Sequence, residues 1–249
     1  MRPGAVNPDT ACAQHARFAR ALRRAGARVL QLPFVHGAFD SVFMKDSAIL
    51  VEHDHTARAL PTTFRHDERV VESAQRASQL ARAGFEVTPQ LSTFLEGGDV
   101  VVVPHRRVAL LGHGVRSLRD SREGLAAFLR CEVIDLELAD ESMFHLDVAL
   151  TVLSDDTVVF CPQAFTPRAR SRIEMMFDKR MAVEPAVARA FALNVVEIGN
   201  TIVTGSSAAI WKGRRVIATP LDQFQLAGGS AACLVARLNA LDEVNACAA

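Results

Sequence analysis

A recurrence constrains this chain more than any other feature. Helix, glycine, short strand, loop and two apolar strands fill roughly the first fifty residues, and the same order returns over about the next fifty. The stretch Arg24-Ala-Gly-Ala-Arg-Val-Leu-Gln-Leu-Pro33 has its counterpart in Arg82-Ala-Gly-Phe-Glu-Val-Thr-Pro89. A third round runs from a helix near 120–130 through Glu132–Leu136, a strand beginning at Asp147 and another at Thr157–Phe160. A fourth comprises a helical region over 169–192, Asn194–Ile198, Thr201–Thr204 and Arg215–Ala218, and the chain closes with Gln223–Leu226 and a helix start or strand at Cys233–Leu238. Short strands at this period, with no long linker, predict ββαβ-like units arranged radially rather than one doubly wound sheet. All units are assigned to a single domain, 1–249.

Within the first round, Phe18 and Leu22 among arginines mark an amphipathic helix over 10–25, ending near Gly26. Arg28–Pro33 and Ser41–Met44 read as short strands, with Asp46 just beyond the second. In the second round, residues 67–83 read as a charged helix closed by Gly84.

The 28 acidic and 28 basic residues balance, so no long-range field draws the chain to nucleic acid or an anionic membrane. Local carboxylate clusters can still select a small cation. No apolar run reaches membrane-spanning length, and the N-terminus has no signal-peptide h-region. The five cysteines (Cys12, Cys131, Cys161, Cys233, Cys247) are widely spaced and form no C-x-x-C pair, which points away from disulfides and zinc and toward a reducing cytosol.

The candidate chemistry sits where apolar runs begin or end. Cys233 follows Gly228-Gly229, which lets backbone approach a ligand closely; donors or an imidazolium nearby would favour its thiolate. The bland alternative is a small buried hydrophobe. His145 can serve as acid and then base, or be a structural histidine. If a strand has already begun there, Asp147 shares its face. Metal binding is not expected, because no third grouped ligand is visible. Glu96 and Asp99 flank Gly97-Gly98 beside the apolar run Val100–Val103, where a carboxylate needs a compensating partner; a bound guanidinium supplies both charge and planar donors. Asp46 ends a similar apolar run. Arg65 and Arg116 lie in loops and could clamp a carboxylate, though Arg65 has Asp67 and Glu68 as local partners. No P-loop, H-E-x-x-H or G-x-S-x-G pattern occurs.

Taken in chain order, these residues resemble the guanidino-group-modifying enzymes of the pentein superfamily. The likeness begins with the helix around Gln14–Gly26 and runs through Phe39-Asp-Ser-Val-Phe-Met-Lys-Asp46, Glu96-Gly-Gly-Asp99, Arg116 and His145 to Gly-Gly-Ser-Ala-Ala-Cys233. It looks closest to dimethylarginine dimethylaminohydrolase, with the His-x-Asp of arginine deiminase at 145–147. The resemblance implies an α/β fold, a five-bladed propeller of ββαβ units around a central channel. It also implies Cys233 as nucleophile, His145 as general acid and base and Glu96 as the carboxylate holding guanidino nitrogens. Asp46 and Asp147 are then substrate-binding, and Arg65 and Arg116 hold the α-carboxylate.

The implied reaction passes through a cysteine thiouronium to citrulline plus amine or ammonia, with no metal and no organic cofactor. Its partner is a small cationic guanidine, and an exposed blade face could support a homodimer. The chain departs from the pattern in three places. Dimethylarginine hydrolases commonly carry lysine where Asp147 stands, Ala232 replaces a cationic or donor residue before the cysteine, and Lys45 replaces an acidic one. Asp147 and Lys45 lean toward an unsubstituted guanidinium. An amidinotransferase and a non-catalytic guanidino-binding pentein are the alternatives.

Overall fold

In the computed structural model, residues 6–207 and 209–241 are described; the first five residues, Ala208 and the last eight, Cys247 among them, lie outside. Helix α1 (Pro8–Arg24) starts where the Asn7 side chain accepts a hydrogen bond from the Thr10 amide, with Pro8 pre-set for the first turn. It buries Phe18 and Leu22 and stops at Gly26, whose φ of 106° is one that L side chains rarely adopt.

The predicted repetition is present as four sheets built alike. A helical turn α2 (Met44–Ser47) leads into β1 (Ala48–His53) and β2 (Thr56–Pro61), after which α3 (Val70–Arg82) crosses over to β3 (Glu86–Val87). The next unit has β4 (Val100–Val102), β5 (Val108–His113), α4 (Arg122–Leu129) and β6 (Glu132–Glu137). A turn α5 (Leu146–Ala149) precedes β7 (Leu150–Val152), β8 (Thr157–Phe160), α6 (Pro167–Met176) and β9 (Lys179–Ala182). After α7 (Pro185–Arg189) come β10 (Val195–Ile198), β11 (Thr201–Thr204), β12 (Arg215–Ala218) and α8 (Asp222–Leu226).

In every unit the first two strands pair antiparallel and the third joins the second in parallel. Each hairpin tip carries left-handed backbone, at Asp54 and His55, His105, Asp156 and Gly199, as tight connections between right-twisted strands require. The final strand, β13 (Leu238–Ala240), lies parallel to β1 and joins the two ends of the chain.

The leading strands β1, β4, β7 and β10, with Val235, Ala236, Arg237 and Asn239, line an axial cavity of about 140 Å³. That radial arrangement is the pentein fold. Helices and outer strands shield the apolar layers behind it, such as the one joining Ile49, Leu95, Leu111, Leu125 and Leu129.

Several local expectations are corrected. Arg28–Pro33 belongs to no strand among the described residues. Ser41–Met44 is not a strand: a 3-10 turn (Phe39–Val42) runs into α2. The 169–192 region is broken by β9, because the exposed Lys179–Ala182 segment finds an edge to pair with at β8. Residues from Cys233 first turn, and only then enter β13. None of the described helices is long and apolar enough to cross a membrane.

Candidate active site

Each leading strand is preceded by a chemically equipped turn. Asp46 lies in α2 before β1, and Glu96 immediately precedes the 3-10 turn Gly97–Asp99 before β4. His145 is the cap residue of α5 and Asp147 sits inside it, before β7. Asn194 precedes β10, and Cys233 lies in the turn ahead of β13. Radial repetition therefore converts a spacing of 49 residues between Glu96 and His145 into a direct contact. Asp147 does not share a strand face with His145: His145 caps α5 and Asp147 lies in its first turn, and β7 begins only at Leu150.

The imidazole is held between carboxylates. His145 Nε2 lies 2.8 Å from Glu96 Oε2, and Nδ1 lies 3.5 Å from Asp46 Oδ1. Burial alone would lower its pKa, but Asp46, the Glu96 hydrogen bond and Asp99 outweigh that and raise it to about 9, so imidazolium is the resting form at neutral pH. Glu96 responds in the opposite sense. Burial pushes its carboxyl up, while the His145 hydrogen bond and the charges of His145 and Arg116 bring it down to about 2. Its other contacts are the Arg65 amide at 3.2 Å and Arg116 Nη1 at 3.2 Å.

Asp99 serves the framework. It accepts the Leu146 amide (3.0 Å) and the Ser117 amide (3.1 Å), which secures the turns bearing His145 and Arg116. Burial raises its carboxyl to about 6 despite His145 and these hydrogen bonds. Gly97 and Gly98 are required by close approach: a Cβ at Gly97 would overlap the Lys45 carbonyl, and one at Gly98 would lie 2.5 Å from His145 Nδ1.

Cys233 is 2% exposed. Its Sγ accepts a hydrogen bond from Asn194 Nδ2 at 3.1 Å and lies 3.8 Å from Asp147 Oδ2. Burial, then Asp147 and Asp46, push the thiol well above its ordinary pKa; the Ser230 backbone and Lys45 act against this. The resting group is therefore a thiol. Asn194 occupies the donor role. No motif marks it in the sequence; its position before the fourth leading strand is the signal that could have found it.

Arg69, also missed, is the cation that compensates Asp46. It binds Asp46 Oδ2 at 2.8 Å and Glu72 at 3.0 Å, packs over Phe64, and is buried with both partners. Arg65 makes no bond to Asp67 or Glu68; its Nη1 donates to the Val115 carbonyl at 2.7 Å and the side chain is exposed. Arg116 packs over Phe144, 4.9 Å from the ring centre, while holding Glu96. The arginines thus stand on the Glu96 side of the site.

A third grouped ligand does exist in space. Asp46, Glu96 and His145 offer donor atoms within 4.8 Å of one another. Arg69 on Asp46, Arg116 on Glu96 and a protonated His145 all work against a divalent cation there. Among the described residues, Asp147 Oδ1 is a buried oxygen without a hydrogen-bond partner, and Asp46 Oδ1 has only the 3.5 Å approach of His145 Nδ1. They can accept N–H groups from a planar cation.

A nucleophile buried among carboxylates repels anionic substrates and suits an electrophilic carbon carried by a cation. Fold and site together define a guanidino-modifying pentein. Residues 3–240 match the sequence model of the family described as N,N dimethylarginine dimethylhydrolase, eukaryotic, and the chain belongs to that family. It is accordingly a hydrolase of guanidino carbon–nitrogen bonds.

Among relatives, the N(G),N(G)-dimethylarginine dimethylaminohydrolase of Mycobacterium tuberculosis is 29% identical over 234 residues, covering 92% of this chain and 76% of that protein. The bifunctional arginine dihydrolase/ornithine cyclodeaminase AgrE of Nostoc is 33% identical over 195 residues, 74% of this chain but only 28% of that longer protein. The crystal structure of the product-bound N-terminal domain of ArgZ, a cyanobacterial arginine dihydrolase, superposes with a TM-score of 0.88 at 28% identity, covering 94% of this chain and 88% of that one. A variant of the same domain was solved covalently bonded to a reaction intermediate.

Proposed function

We propose that the substrate is arginine or an Nω-methylated arginine, with free arginine favoured, and that residues 1–249 act as a single catalytic domain. The observation that carries this reading is the buried Asp147 Oδ1, which has no hydrogen-bond partner and belongs to the carboxylate beside Cys233 Sγ; Asp46 Oδ1, 3.5 Å from His145 Nδ1, is a second buried acceptor. Guanidinium N–H groups satisfy both. A dimethylated nitrogen has no N–H to offer, so Asp147 favours an unsubstituted one. Arg65 and Arg116 are assigned to the substrate carboxylate, Arg116 by turning from Glu96.

The cation offsets Asp147 and Asp46, so its arrival lets Cys233 lose its proton to solvent and attack the guanidinium carbon. The imidazolium of His145 donates its proton to the departing nitrogen, which leaves as ammonia or an amine, and a thiouronium remains on sulfur. Neutral His145 then takes a proton from water as the water adds to the same carbon. Collapse breaks the C–S bond and yields citrulline and the free thiol. Glu96, expected from the resemblance to hold guanidino nitrogens, is given a second part here, keeping the imidazole oriented through its 2.8 Å contact with His145 Nε2.

Incubation with arginine, monomethylarginine and dimethylarginine, with citrulline, ornithine, ammonia and amines resolved by mass spectrometry, tests this. The expected result is citrulline, fastest from arginine, and none from Cys233→Ser; unchanged turnover in that variant removes the nucleophile. Ornithine with a second ammonia would indicate the dihydrolase outcome named for ArgZ. Amidine transfer to added ornithine or glycine would indicate an amidinotransferase, and absence of both product and covalent adduct a binding protein. A cytosolic setting, a homodimer and no nucleic-acid partner complete the proposal, and sedimentation checks the dimer.

A further inference from the structure

Lys45 is one residue before Asp46, yet its side chain serves a different part of the site. Its Nζ lies 3.1 Å from Asp147 Oδ2, the same oxygen that lies 3.8 Å from Cys233 Sγ. The backbone is tied to the same place, since the Lys45 amide donates to the Cys233 carbonyl at 3.0 Å. Asp147 is 3% exposed at its side chain and Lys45 19%, so the pair is largely withdrawn from solvent screening. The Gly97 backbone packs directly on the Lys45 carbonyl, which leaves little freedom for the main chain.

The groups facing the sulfur are few. Asp147 comes from α5, Asp46 and Lys45 from α2, and the neutral Asn194 amide from the residue before β10. Both carboxylates oppose ionisation of the sulfur, and Lys45 is the ammonium set against them. By engaging Oδ2, it also leaves Oδ1 of Asp147 as the oxygen without a partner.

We propose that Lys45 is a positioning residue for the nucleophile: its ammonium holds Asp147 Oδ2, screens that charge from Cys233, and reserves Oδ1 for the substrate cation. The second half rests on the guanidine reading above, whereas the first half does not. The test is therefore read without substrate, as the pH dependence of Cys233 alkylation by iodoacetamide, followed by mass spectrometry on the intact protein.

Lys45→Met is expected to raise the midpoint by about one pH unit, which is about tenfold slower alkylation below the midpoint. Lys45→Arg restores it, because a cation again meets the carboxylate, and Asp147→Asn lowers it. A purely structural lysine would change stability without moving the midpoint. Lys45→Gln keeps a donor for Asp147 but removes the charge, so the comparison survives if the methionine variant does not fold. A midpoint in Lys45→Met and Lys45→Gln equal to that of the unaltered protein overturns the proposal. With arginine as substrate, Lys45→Gln should raise KM as well as lower kcat; a shifted alkylation midpoint without turnover of any guanidine would sink the substrate reading and leave the Lys45 assignment standing.

Discussion

Asn194 grips Cys233 from both ends. Its Nδ2 donates to the sulfur at 3.1 Å, and its Oδ1 accepts the amides of Cys233 (3.2 Å) and Ala232 (2.9 Å). The same Nδ2 lies 3.2 Å from the Asp147 carbonyl, so a single buried amide joins the turns ahead of β7, β10 and β13. A hydrogen bond to an ionised group contributes about 1.5–3 kcal/mol. Asn194→Ala should therefore lower kcat by roughly tenfold to a hundredfold and raise the alkylation midpoint of Cys233, measured by steady-state kinetics and the same iodoacetamide titration.

Activity should depend on pH through His145 in a definite direction. The proton it donates is present below about pH 9 and lost above it, so kcat/KM falls on that alkaline limb. Glu96→Gln removes a charge and an acceptor that favour imidazolium. The limb then moves to lower pH; a limb that stays in place would contradict the assignment of His145 as the acid.

Stability follows the same proton. The folded-state pKa of about 9 exceeds the ordinary 6.5, so the contribution from His145 is complete below 6.5 and disappears as pH rises through 9. Thermal melting should accordingly give a lower Tm at pH 9.5 than at pH 7, with a smaller difference in His145→Gln.

Arg69 is the structural counterweight of the site. It bridges Asp46 and Glu72, whose other partner is the Ser47 hydroxyl. Removing one member of a buried ionic cluster costs about 3–5 kcal/mol, because the remaining carboxylates stay desolvated. Urea unfolding of Arg69→Met should show a loss of that order, and adding Glu72→Leu should return part of it.

Gly98→Ala probes geometry without altering charge. The added methyl would stand 2.5 Å from His145 Nδ1 and 2.7 Å from Asp46 Oδ1, so the catalytic side chains must move. Displacements near 1 Å can cost about a hundredfold in rate. A kcat loss of at least about tenfold is expected from progress curves, together with a Tm much closer to the unaltered protein than that of Gly97→Ala, where the obstacle is backbone.

Much of this architecture was legible in residue order. The recurrence of apolar strand pairs and glycine-closed helices announced the radial units; Asp46, Glu96 and His145 were conspicuous beside apolar runs, and Cys233 because it follows Gly228-Gly229. Elements with weak or mixed patterns were less legible. Ser41–Met44 is apolar enough for a strand, yet it closes as successive helical turns that present Asp46, and Lys179–Ala182 is polar enough for a helix surface, yet an available strand edge claimed it. Asn194 and Arg69 lacked any local signature.

Periodicity and side-chain type are properties of neighbouring residues, so the sequence alone determined the repeating units and which reactive groups they carry. Protonation and partnership are through-space properties, and only the tertiary structure decided them. It made His145 an imidazolium by setting it between Glu96 and Asp46, kept Cys233 a thiol beside Asp147, and gave Asp147 to Lys45. Charges far apart in the chain act on one another only once folding has removed the water between them, and no order of residues encodes that distance by itself.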